Sequence, residues 1–72
     1  MEKKELTQEQ IDAISAGTGA EPGFIVIIYS VLVDMPELMS NDDAFVSKAT
    51  AAGATLSRDE LIRVRGAVAA LI

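Results

Sequence analysis

The stretch Phe24-Ile25-Val26-Ile27-Ile28-Tyr29-Ser30-Val31-Leu32-Val33 limits what this chain can fold into more than any other feature, because it holds a single serine and no charge. Left in water, such a run pairs with other chains and aggregates, so the fold, an oligomer or a partner must cover it. Its β-branched content favours a strand, and its length suits a buried strand or a buried helix, so periodicity leaves both open. Context favours helix. No other segment reads as a strand, and a lone strand cannot satisfy its own backbone ladder; the alternative is a strand that pairs with another chain. Pro22 ahead of the run and Asp34-Met35-Pro36 behind it suit helix boundaries, since the residue before a proline is pushed out of the helical region. The run is about half of the roughly 20 residues that a membrane-spanning helix needs, so no span is expected.

Both ends of the chain carry capped helix starts. Thr7-Gln8-Glu9-Gln10 is a capping box, with Leu6 and Ile11 placed as the hydrophobic staple around it. Ser57-Arg58-Asp59-Glu60 repeats the box, with Leu56 and Leu61 as staple. Ile11 and Ile14 make a narrow apolar stripe that ends at Gly17 and Gly19, and Gly17-Thr18-Gly19-Ala20-Glu21-Pro22-Gly23 reads as turn-forming linker. Pro36-Glu37-Leu38-Met39 suits one helical turn. Ser40, Asn41 and Asp42 offer caps for a helix carrying Phe45, Val46 and Ala49 that stops at Gly53. The expectation is an all-α fold, a small bundle of three to four short helices at about 7–16, 24–34, 42–52 and 57–72. Within it, 1–17 is a leader-like helix, 18–23 a flexible linker and 24–72 a compact helical domain. With two Phe, one Tyr and no Trp, packing falls to Ala, Val, Ile and Leu.

The side-chain inventory argues against catalysis. Without Cys or His the chain lacks thiolate ligands, a thiol nucleophile, the commonest zinc ligand and the commonest general base. The expectation is therefore no enzyme, no cofactor and no metal. Asp42-Asp43 and Asp59-Glu60 sit where helix dipoles favour carboxylates and lack the spacing of a calcium loop. A net charge of −5 argues against nucleic acid as a partner. Arg58, Arg63 and Arg65 read as a solvated face of the last helix. Lys3-Lys4 is followed by polar residues and not by the apolar core of a secretory signal, so the full-length chain is expected in the cytoplasm.

Residues 6–17 and 56–67 align without gaps: a Leu, then a hydroxyl residue, apolar residues at the same two later positions, and a small pair at the end, Ala16-Gly17 or Gly66-Ala67. Any capped amphipathic helix shares part of this pattern. The N-terminal copy also resembles the double-glycine-type leaders of bacteriocins and other ribosomally made, modified peptides. Leu6, Ile11 and Ile14 fall at the spacing of that family's recognition residues, and Ala16-Gly17 stands at its cleavage pair, with Ala16 where Gly is usual. A weaker resemblance covers residues 24–67. There, Asp34-Met35-Pro36-Glu37-Leu38, Phe45 and Leu56-Ser57-Arg58-Asp59-Glu60-Leu61 occur in the order seen in the helical leader domains of Nif11-type peptide precursors, with Gly66-Ala67 at the place of their terminal pair. Gly23 to Ile28 is similar in texture to the β-branched cores of borosin-type N-methylated peptides.

These resemblances imply a precursor peptide, read by a maturation enzyme or transporter protease through a helical leader and then modified or cleaved, with export of a processed product. Phe24, Ile25, Val26, Ile27, Ile28 and Tyr29 are the segment that is either modified or buried. The alternative is a small helical adaptor or homo-oligomer subunit with nothing processed.

Overall fold

The computed structural model describes residues 6–71; the first five residues of the expected leader stretch and Ile72 lie outside them. The described chain is all-helical: α1 (Gln8–Thr18), α2 (Pro22–Asp34), a 3-10 turn (Pro36–Ser40), α3 (Asp42–Ala51) and α4 (Arg58–Ala69). The apolar run is helix and not strand. It starts two residues earlier than expected because Pro22 occupies the first helical position, where its missing N–H costs nothing and its fixed φ already suits the helix. Glu21, held extended ahead of the proline at φ −69° and ψ 147°, makes the boundary.

At its other end α1 runs past Gly17 to Thr18. The expected six-residue linker 18–23 is thereby reduced to Gly19, Ala20 and Glu21, and Ala20 is buried. Gly19 stops the helix in the left-handed region at φ 77°, and its N–H donates to the Ser15 carbonyl at 2.8 Å. α4 ends at Ala69, short of the expected terminus.

α2 packs against all the other elements, and Ile25, Ile28 and Leu32 on its inner side have no exposed surface. Around them gather Ile11 and Ile14 from α1, Leu38 from the 3-10 turn, Phe45 and Ala49 from α3, and Leu61, Val64 and Val68 from α4. One core therefore includes α1. Among the described residues no large aromatic other than Phe45 is fully buried, so branched aliphatics supply most of the packing.

The arginines depart from expectation. Arg63 is exposed, but Arg58 and Arg65 tie α4 to the start of α3. The Arg65 guanidinium, 13% exposed, donates to Asp42 Oδ1 at 2.5 Å and to the Leu38 carbonyl at 3.1 Å, and lies 5.2 Å from the centre of the Phe45 ring. Arg58 donates to Asp43 at 2.6 Å with half of its side chain in water. A charge that is largely shielded from water, hydrogen-bonded to a carbonyl and stacked on a ring is worth more than an ion pair in solvent.

Arg65→Ala is accordingly expected to lower the unfolding free energy by about 1–3 kcal/mol in urea titrations. Arg58→Ala should cost no more than about 0.5 kcal/mol, a loss that salt abolishes. Equal losses at the two positions would contradict this ranking.

Candidate functional site

The residues singled out as leader features lie on α1 and at its corner with α2. Thr7 opens the helix with both bonds of the capping box in place: its Oγ1 accepts from the Gln10 N–H at 3.1 Å, and its own N–H donates to Gln10 Oε1 at 3.0 Å. Leu6 is half-buried against the core, while Ile11 and Ile14 are buried in it. The recognition stripe is thus turned inward, onto α2 and α4, and Ala13 is left on the outer face. Past Thr18 the chain bends so that α1 and α2 meet at 107°. Two hydroxyls fasten this corner. Ser15 donates to the Ala20 carbonyl at 2.7 Å, and Thr18 donates to the Ile14 carbonyl at 2.7 Å while accepting from the Ala20 N–H at 3.3 Å.

The two small pairs differ in setting. Ala16 and Gly17 are both exposed, in the last turn of α1. A Cβ added at Gly17 would meet no atom within 4 Å, so an alanine fits and no packing or turn needs glycine here. Gly66 is similarly exposed and open, but Ala67 is half-buried beside Val68, inside the helix that Arg65 pins. Glycine in a helix interior costs about 0.5–1 kcal/mol relative to alanine. By contrast, Gly19 and Gly53 hold φ values of 77° and 113°, which no other residue type adopts easily. The fold asks for glycine at 19 and 53 and tolerates it at 17 and 66.

The second capped start is built differently from the first. The Glu60 N–H donates to Ser57 Oγ at 3.3 Å, but the Glu60 carboxylate accepts from the Ser57 hydroxyl at 2.9 Å and so does not reproduce the reciprocal bond of Thr7 and Gln10. Asp42 and Asp43 stand in the first turn of α3 as expected, with the added work of binding Arg65 and Arg58. Nothing in the local sequence pattern announces this pairing, which spans 23 and 15 residues.

Of the segment Phe24 to Tyr29, Ile25 and Ile28 are fully buried, Phe24, Ile27 and Tyr29 are half-buried, and Val26 is 44% exposed. Among the described residues, Val26 is the one large hydrophobic side chain left exposed. A shallow pocket of about 260 Å³ opens between α2 and α3, lined by Val31, Asp34, Met35, Lys48, Ala51 and Ala52. Among the described residues, no three Asp, Glu, His or Cys side chains converge as metal ligands, and no single helix is long and apolar enough to cross a membrane. No protein-family model, curated protein or solved structure matches the chain.

Gly17→Ala and Gly66→Ala should each stabilise the protein by about 0.5–1 kcal/mol in thermal or urea unfolding. Gly19→Ala and Gly53→Ala should destabilise it by about 1–2 kcal/mol, the cost of a Cβ in the left-handed region. A loss of stability at position 17 would show that the fold needs this glycine after all.

Proposed function

We propose that this chain is a precursor, and hence the substrate, in a ribosomal peptide natural-product or bacteriocin pathway. A maturation enzyme or transporter protease reads α1 through Leu6, Ile11 and Ile14 and cuts after Gly17. The observation that carries this reading is Gly17 itself: an exposed glycine in a helix that would be more stable with alanine, at a position where nothing in the fold calls for it. A backbone without Cβ admits the close approach that a narrow proteolytic cleft demands. Hydrolysis of the Gly17–Thr18 peptide bond consumes one water, leaving a carboxylate on Gly17 and an amine on Thr18. It requires the last turn of α1 to open, breaking the Thr18 hydroxyl bond to Ile14 and the Gly19 amide bond to Ser15.

Gly66-Ala67 serves less well as a second cut, because it lies inside α4 next to the Arg65 anchor. Modification of Phe24 to Tyr29 serves less well than cleavage, because Ile25 and Ile28 are wholly enclosed and their backbone is helical. In this reading the full-length chain is made in the cytoplasm and the product is exported. The adaptor reading rests on Val26, exposed on a helix whose first twelve residues are uncharged. One such residue is ordinary for a protein surface, and the rest of the apolar run is covered by the fold at least in part.

The test is the intact mass of the protein recovered from its native host, for the natural chain and for Gly17→Ala. The precursor reading expects a natural product that begins at Thr18, and a Gly17→Ala chain that is more stable yet remains uncut. An intact, unmodified natural chain recovered in a stable complex would decide for the adaptor.

A further inference from the structure

We propose that α1 is a releasable cover, docked on α2 and α4 by apolar burial with no polar link to either helix among the described residues, whose release presents Ile11 and Ile14 to a partner and the Gly17–Thr18 bond to a protease. The chain supplies its own control in α4. Both helices open with the same sequence pattern, and each buries the two apolar residues at matching positions: Ile11 and Ile14 in α1, Leu61 and Val64 in α4. Position for position, Gln8 stands where α4 has Arg58, and Ser15 where it has Arg65.

The two arginines reach across to Asp43, Asp42, the Leu38 carbonyl and the Phe45 ring. Their counterparts bond locally. Gln8 Nε2 donates to Asp12 Oδ1 at 3.1 Å within α1, and Ser15 bonds its own connector at Ala20. Among the described residues, every side-chain hydrogen bond made by α1 closes on α1, its cap or that connector. Burial ranks the helices in the same order: Ile11 and Ile14 keep 8% and 7% of their surface, against 0% and 1% for Leu61 and Val64. Opening α1 therefore breaks no charged or polar link to another helix among the described residues.

Helix length sets the fate of the released segment. Helices shorter than about 12–15 residues are marginal in water, and α1 has 11. Once off the core it unwinds for much of the time. Ala16-Gly17 then becomes the extended chain that a protease cleft accepts, and Ile11 and Ile14 become free to refold as a helix on a partner's groove. The docked bundle withholds both signals and the opened one offers both. Removal of α1 also bares the sides of α2 and α4 on which it lay.

This inference rests on the precursor reading for its biological use, but its test needs no processing enzyme, so either can fail alone. The test is native-state hydrogen exchange followed by NMR on the full chain. The amides of Ile14 and Ser15 should have protection factors at least roughly tenfold below those of their counterparts Val64 and Arg65. Arg65→Ala, whose lost contacts all lie on the 3-10 turn and α3, should lower α4 protection by a factor of roughly ten while changing α1 by less than about twofold, since α1 opens with those contacts intact. Equal protection of the paired amides would overturn the proposal, and so would a loss in Arg65→Ala shared equally by α1 and α4. Either result makes α1 an inseparable part of a single cooperative unit.

Discussion

Covering α2 is the task that organises this molecule. Its thirteen residues carry one charge, at the final position, and no other element could shield it alone. α1, the 3-10 turn, α3 and α4 are each too short to be stable by themselves, so each gains its structure by lying against α2 or against a helix that does. Burial of Ile25, Ile28 and Leu32 turns the most aggregation-prone stretch of the sequence into its centre. Branched aliphatics and one fully buried aromatic, Phe45, fill that centre. A few well-placed polar contacts then decide which parts hold fastest.

Those contacts are unevenly distributed. Arg65 draws the 3-10 turn, the first turn of α3 and the Phe45 ring toward α4, and Arg58 adds a looser, solvated tie. α1 rests on the same centre with a well-formed cap and a well-formed corner, yet no described polar contact joins it to another helix. The repeated helix start therefore serves two ends. At the C-terminal copy, arginines convert it into a fixed wall of the core. At the N-terminal copy, neutral residues leave it to the apolar contacts of Leu6, Ile11 and Ile14, which are also the residues that a leader-reading partner would need. Structure and proposed recognition would compete for the same side chains, and in the precursor reading that competition would make docking a control point.

Much of the helical layout is legible in the sequence because it rests on local rules. Thr7 with Gln10, Asn41 with the Ala44 amide, Ser57 with Glu60, and Gly53 all act within a few residues of themselves, and their chemistry shows in the chain. Helix over strand for Phe24 to Val33 follows from the absence of a pairing partner and not from the run's own composition, since a β-branched run gives no periodicity when all its sides are apolar. The connector between α1 and α2 is shorter than its composition suggests for a related reason. Gly17, Gly23 and Pro22 look like breakers in isolation, but Pro22 is harmless at a first helical position and the two glycines lie in helices whose packing outweighs their propensity. The Arg65 anchor leaves no trace in the local pattern, and the apolar stripe of Ile11 and Ile14 marks a face to be covered without saying what covers it, because both depend on which helix meets which across long separations. Gly17 gains its significance only from surroundings that leave room for a side chain.

α1 closes the same core that α4 closes, so that the leader-like stripe is concealed in the folded protein. Side-chain methyl NOE spectroscopy on the full chain in solution addresses it most directly. The methyls of Ile11 and Ile14 should show contacts to side chains of α2 and α4. Isoleucines at 11 and 14 with no such contacts, on a segment showing random-coil shifts beside an intact α2 to α4 core, would contradict it.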